Sequence, residues 1–253
     1  MSNIVFDSTD LSALGLVTRG VSGVHDLVPS VTDRVWVPGK LQPDDAVIRD
    51  SDLGQMEFDC AVIGTDHADL ITNLSALKAA ANPRKGWKFF TITDLSGLRT
   101  LALPGRFPVN LDKIPYVMRV AEFNWAWERV GYWEDASEQS KVISGLSDTV
   151  NNNGGLVTYP IWECELTADM AGGLSFQVTD GTNIYEYTYE GALVTGNVLL
   201  VKTDLATPSL DGVTDFANTA ATSDYPPLAV GTNTVTRTST DFTLTCRYRR
   251  RFE

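Results

Sequence analysis

Basic residues, histidines and cysteines are all scarce in this chain of 253 residues, and each scarcity removes a class of function. The 20 Lys and Arg stand against 32 Asp and Glu, a net charge of −12, so the cation surplus that neutralises phosphates is missing. Direct nucleic-acid binding is disfavoured. The 2 histidines are His25, in an expected turn, and His67, in the first turn of an expected helix. A catalytic histidine needs an oriented partner, and no Gly-x-Ser-x-Gly or His-x-x-x-His pattern supplies one. Both read as solvated side chains. The 3 cysteines, Cys60, Cys164 and Cys246, are odd in number, far apart and set among alternating apolar residues. They read as buried free thiols of a protein made in a reducing cytoplasm.

Other motifs are missing too. The opening Met1-Ser2-Asn3-Ile4-Val5-Phe6-Asp7 has neither a basic region nor an apolar stretch of signal-peptide length, and no segment approaches a membrane span. Export is therefore expected to need another route, such as cell lysis. No glycine motif that cradles phosphate is present. Asp180-Gly181 and Asp211-Gly212 lack the alternating carboxylates of a calcium loop and are expected to be tight hairpin turns. The expectation is no catalytic residue, no metal and no cofactor.

With 43% hydrophobic and 21% charged residues the chain falls in the ordinary globular range. A chain this long buries roughly three quarters of its unfolded surface. Short alternating runs dominate its first 62 residues, such as Arg34-Val35-Trp36-Val37 before Pro38-Gly39. In the run from Gly54 to Val62, Met56, Phe58, Cys60 and Val62 share one strand face while Gln55, Glu57 and Asp59 share the other. One helix is expected, from Asp66 to Ala81, with Thr65 or Asp66 as N-cap. Leu70, Ile71, Leu74 and Leu77 form its apolar stripe, and Asn82-Pro83 ends it. A hairpin follows over 87–93 and 98–103, then a long strand over 116–127 with Phe123, Trp125 and Trp127 on one face.

From Glu134 to Lys141 the chain is acidic and polar, and with Ser144-Gly145 and the Asn151 to Gly155 cluster this marks a boundary region. The division is placed so that one module covers 1–145 and a second covers 146–253. The second is read as many short strands with Gly, Pro and Asn turns and no helical stripe, a jelly-roll type β-sandwich.

Three turn signals in that second half carry a family resemblance. They are Asn151-Asn152-Asn153-Gly154-Gly155 running into Tyr159-Pro160-Ile161, the run Tyr189 to Leu199 with Gly191 and Gly196, and the run Tyr225 to Asn233 with Pro226-Pro227. In this order they resemble the C-terminal β-sandwich of distal tail proteins of long-tailed bacteriophages. The stretch Leu53 to Leu103, strand then helix then hairpin, is similar to the N-terminal half of that family. The resemblance implies a mainly β fold: a tail-tube-like β-sandwich with one helix, followed by a galectin-like sandwich. It also implies a homo-hexameric ring at the tail tip of the virion, synthesised in the bacterial host cytoplasm. Such a ring joins the tail tube protein to the hub or tip protein, carries receptor-binding or side-fibre proteins, and lets DNA pass its lumen without specific binding. No active site is implied. One departure is Gly196-Asn197, where members often carry Gly-Asp; the acidic connector over 134–141 is another.

A different class of function remains open on the aromatic residues. Trp133, Trp162, Tyr185, Tyr187 and Tyr189 are candidate rings for stacking on a sugar, with core or interface packing the simpler explanation. A carbohydrate-binding β-sandwich protein is accordingly the alternative. A polysaccharide-degrading enzyme would need a carboxylate pair, and nothing selects one among 32 acids. In the basic tail, Arg247, Arg249 and Arg251 share a face if the last strand persists. They would pair with acids of the same or the neighbouring subunit, or simply charge an edge strand.

Overall fold

The computed structural model describes residues 3–22, 54–92, 95 and 97–252. His25 and the run Arg34–Val37 lie outside the described residues. The chain divides into two compact units, 1–134 and 135–252.

The first unit is built on strands β1 (Ile4–Phe6), β2 (Thr9–Asp10), β3 (Leu16–Ser22), β4 (Gly54–Ile63), β5 (Lys88–Ile92), β6 (Leu98–Pro104) and β7 (Val120–Arg129), with one helix, α1 (His67–Ala80). The sheet runs in the order β2-β1-β5-β6-β7-β4-β3, all pairs antiparallel. β6 and β7 pair only through Ala102 to Pro104 against Trp127 to Arg129, while β4 and β7 pair along their whole length. That short pairing makes a corner. Across it, Phe6 of β1 meets Trp127 of β7 with ring centroids 5.1 Å apart, and Phe58 of β4 meets Phe90 of β5 at 5.8 Å. The sheet thus folds on itself around an aromatic core.

The alternation expected along β4 holds, since Met56, Phe58, Cys60 and Val62 are buried and Gln55, Glu57 and Asp59 are exposed. α1 begins where Asp66 Oδ1 accepts the Asp69 amide at 2.8 Å, while Asp69 Oδ2 accepts the Thr65 amide at 2.7 Å. This reciprocal capping satisfies amides the first turn leaves free. Leu70, Leu74 and Leu77 are fully buried, contributing about 2 kcal/mol each, and Ile71 is half-buried. The long strand is shorter at its start than the alternation indicates: Tyr116 and Val117 form a turn, because Met118 N donates to the Pro115 carbonyl at 2.9 Å.

A short strand, β8 (Trp133–Asp135), is followed by β9 (Gln139–Val142), β10 (Ser147–Asn152), β11 (Ile161–Leu166), β12 (Leu174–Thr179), β13 (Ile184–Tyr189) and β14 (Val198–Lys202). Then come β15 (Thr207–Leu210), β16 (Val213–Thr214), β17 (Gly231–Arg237), β18 (Phe242–Tyr248) and β19 (Arg251–Phe252). In the second unit a four-stranded sheet, β10-β17-β12-β13, faces a six-stranded one, β16-β15-β14-β11-β18-β9. Inward residues of both sheets form one core, including Trp162, Cys164, Phe176, Val178, Leu199 and Leu244. The polar stretch after Glu134 contains β9, which pairs with β18 through Lys141 and Cys246, and Ile143 N donates to Leu244 O at 2.8 Å. The boundary between the units therefore falls between Glu134 and Asp135, ahead of position 145. β9 went unseen in the sequence because an edge strand reading Gln139-Ser140-Lys141-Val142 carries little apolar alternation.

Candidate functional site

The three glycine-bearing turns that stood out in the sequence are fastened by buried or cap-forming amides. Asn152 is completely buried: its Nδ2 donates to the carbonyls of Leu156 at 2.9 Å and Leu228 at 3.2 Å, and its Oδ1 accepts from Gly154 N at 3.0 Å. Gly154 leaves no room for a Cβ, which would lie 2.5 Å from the Arg251 carbonyl. In the second turn Asn197 Oδ1 accepts from Val194 N at 2.8 Å and its Nδ2 donates to Asp211 Oδ2 at 2.7 Å. In the third, Asn233 closes a loop on itself, accepting from Ala229 N at 3.0 Å and donating to Ala229 O at 2.9 Å. Buried amides of this kind persist only when their donors and acceptors are matched. These motifs are staples of the fold.

The candidate aromatic platform divides between core and edge. Trp162 is fully buried, with Nε1 donating to the Pro226 carbonyl at 2.9 Å and its ring 5.3 Å from Phe176. Tyr187 packs between Phe176 and Tyr225 and bonds Thr219 Oγ1 at 3.0 Å; burial pushes its phenol up. Tyr189 is buried with its hydroxyl donating to Asp215 Oδ2 at 2.6 Å, and burial foremost pushes its phenol up to about 12. Trp133 is buried in the first unit, 6.2 Å from Phe90. Tyr185 is half-buried. Four of the five rings therefore present no open face to a sugar. The outer edge of β13 is covered as well, since Ala220 N and Asp224 N donate to the carbonyls of Thr188 and Glu186.

The arginine tail is engaged inside its own unit. Arg247 pairs with Glu163 at 3.0 Å, Arg249 Nη1 donates to the Asp135 carbonyl at 2.9 Å, and the Arg251 guanidinium lies 4.9 Å from the Tyr159 ring centre. Each of the three thus has a contact within one copy of the chain. The tightest pairing belongs to Arg250, which sequence reasoning passed over. Its Nε and Nη2 grip both oxygens of the buried Asp135 at 2.8 and 3.0 Å. Arg250 has the parity of the buried Phe242, Leu244 and Cys246, opposite to the face that Arg247, Arg249 and Arg251 share.

Asp180-Gly181 and Asp211-Gly212 are tight turns, as expected. Asp211 and Gly212 both have positive φ, 48° and 83°, between the paired Leu210 and Val213. Cys60, Cys164 and Cys246 are free and buried, with burial raising each thiol, that of Cys60 to about 12. Among the described residues no group of three or more His, Cys, Asp and Glu is placed to hold a metal ion.

The fold and these contacts define a mainly β protein of two modules whose marked motifs build turns. No protein-family model and no curated protein matches the chain. Among solved structures it is similar to the SPP1 Dit protein (gp 19.1), described as a paradigm of the hub adsorption apparatus in phages infecting Gram-positive hosts. The TM-score is 0.74 at 15% identity, over 100% of both chains. A chain of the phage P2 baseplate in its activated conformation with Ca aligns at TM-score 0.42 and 8% identity, over 99% of this chain and 98% of that one. The chain thus has the Dit fold from end to end.

Proposed function

We propose that this protein is a structural component of a phage tail, a hexameric ring adaptor at the distal end of the tube. It joins the tube to the tip or baseplate, carries receptor-binding proteins and lets DNA pass. The observation that carries this reading is the likeness to SPP1 Dit over the whole of both chains, which includes both modules and not just a common sandwich. The first unit is the ring-forming module and the second the galectin-like one. The protein acts without catalysis, in the virion at the tail tip, after synthesis in the host cytoplasm.

Charge placement supports the passage of DNA. On the outward face of paired strands β4 and β7, Glu57, Asp59, Glu122 and Glu128 are exposed, and Glu122 is bridged to Arg19. A carboxylate-rich wall repels a phosphate backbone and lets it slide. The sugar-binding alternative loses support from the burial of Trp162, Tyr187 and Tyr189.

Light scattering of the purified chain, followed by negative-stain imaging, tests the proposal. A six-fold ring with a central hole is expected, formed alone or with the tail tube protein. A strict monomer at high concentration, even with tail partners present, would overturn it.

A further inference from the structure

The two ends of α1 differ in a way that one copy alone does not use. At the N-terminal end an apolar projection stands in solvent: Tyr116 and Val117 are 85% and 86% exposed, and Ile63, Met118 and Val120 flank them. These residues are contiguous, because Ile63 pairs with Val120, Gly64 N donates to Arg119 O at 2.8 Å, and the Tyr116 ring lies 4.9 Å from His67. The carboxylates of Asp66 and Asp69 cap the helix at this end, and the exposed Arg119 belongs to the projection itself.

At the C-terminal end lies a groove of about 870 Å³ with a mixed polar and apolar lining that includes Phe107, Val109 and Leu111. The same lining carries Lys78, Arg84 and Arg106 against the one carboxylate of Asp112. None of these three cations enters an ion pair with a described residue, although the chain as a whole carries −12. With 14 residues in α1, the two ends are about 21 Å apart.

We propose that these ends are the two halves of one head-to-tail contact between copies of this chain. The Tyr116–Val120 projection of one copy enters the groove of the next. This rests on the ring reading above and gives it a surface. Apolar side chains of the projection meet Phe107, Val109 and Leu111, and the carboxylates of Asp66 and Asp69 face the cations of the groove. An interface with an apolar centre and a complementary charged rim is what gives such contacts both affinity and register. Because projection and groove are different surfaces of one chain, the contact is heterologous, and a heterologous contact closes into a ring when its rotation allows. The exposure of Tyr116 and Val117 is accounted for by the same contact.

The test uses two full-length variants. Val117→Asp spoils the projection, and Arg84→Glu with Arg106→Glu spoils the groove; all three positions are exposed, and circular dichroism checks the fold. Each variant alone is expected to lose the ring and run as a monomer by light scattering. Mixed, they retain one intact projection and one intact groove, so the expected species is a dimer that grows no further. A second measurement places Val117→Cys and Leu111→Cys in one chain and oxidises the assembled sample with oxidised glutathione. A ladder of linked copies is expected, while the native thiols stay buried. Rings that survive both variants, a mixture that stays monomeric, or an assembled sample without a ladder would each overturn the contact. The first and third leave the ring reading standing. Wild-type protein that never assembles, even with the tube protein, overturns the ring reading and this contact with it.

Discussion

The indole of Trp162 donates to the carbonyl of Pro226 at 2.9 Å, joining β11 to a proline pair 64 residues further along. The same carbonyl accepts from Thr203 Oγ1 at 3.3 Å, so one backbone oxygen holds a central strand and a loop together. Pro226 thereby serves as a tie point, and the side chain that reaches it also fills the middle of the core.

Trp162→Phe removes the bond and leaves unfilled volume, and an expected loss of about 2–3 kcal/mol follows from those two terms. Urea denaturation of wild type and variant measures it. A glycan-stacking residue would show the opposite pattern, with unchanged stability and altered ligand binding.

The Tyr189 to Asp215 bond predicts opposite effects at the two ends of the pH scale. Tyr189 is raised from 10.0 to about 12, burial first and the Asp215 bond next, so its contribution is complete below pH 10 and disappears as pH rises through about 12. Asp215 is lowered from 3.8, chiefly by the Tyr189 hydroxyl, so its contribution is present above that value and disappears as pH falls below it. Tyr189→Phe is expected to cost about 1 kcal/mol at neutral pH and to flatten both limbs of the stability profile relative to wild type. Thermal melts across the pH range, wild type against variant, give the comparison.

Period-2 alternation made β4 legible, because one face is buried and the other wet; the stripe Leu70, Leu74 and Leu77 did the same for α1. The β-sandwich of the second unit was legible from its turns, since Asp211-Gly212 takes positive φ twice in succession. Three things escaped. The polar edge strand β9 has almost no apolar signal, its placement being set by pairing with β18. The alternation Tyr185, Tyr187, Tyr189 shows a shared face without telling how deep each ring sits, and depth is set by Thr219, Asp215 and Tyr225 from a distant loop. Arg250 has the parity of the buried Phe242, Leu244 and Cys246, but its partner Asp135 lies 115 residues away and nothing in the sequence selects that carboxylate.

Gly173 and Gly172 stand side by side and should respond very differently. Gly173 has φ of 74°, and a Cβ there would lie 1.8 Å from the carbonyl oxygen of Tyr189, a backbone atom that cannot step aside. A Cβ on Gly172 would meet nothing within 4 Å. Gly173→Ala is expected to cost more than about 4 kcal/mol or to prevent folding of the second unit, and Gly172→Ala to stay within about 1 kcal/mol of wild type. Expression yield and melting temperature of the pair check both arms.

Asn197 stands where the resembling family often carries Asp, and its surroundings explain the amide. Its Oδ1 caps Val194 N at 2.8 Å, a role a carboxylate could fill, but its Nδ2 donates to Asp211 Oδ2 at 2.7 Å. Asp211 is also held by Val198 N through Oδ1 at 2.8 Å, so it is fixed in place. Asn197→Asp would set two carboxylates against each other at hydrogen-bond distance, converting a bond into a repulsion. Asp211 is exposed and Asn197 only half-buried, so screening keeps the expected loss to about 1 kcal/mol at neutral pH. The sign with pH follows from the repulsion, which needs both carboxylates ionised. The penalty is largest when both are ionised and shrinks as pH falls and either takes up a proton, because a shared proton restores a hydrogen bond across the pair. High salt should shrink it too. Denaturation midpoints of wild type and Asn197→Asp are expected to converge on acidification toward the ordinary carboxylate range, about pH 4, and to separate at neutral pH; a gap that widens on acidification would show that the amide is chosen for something other than Asp211.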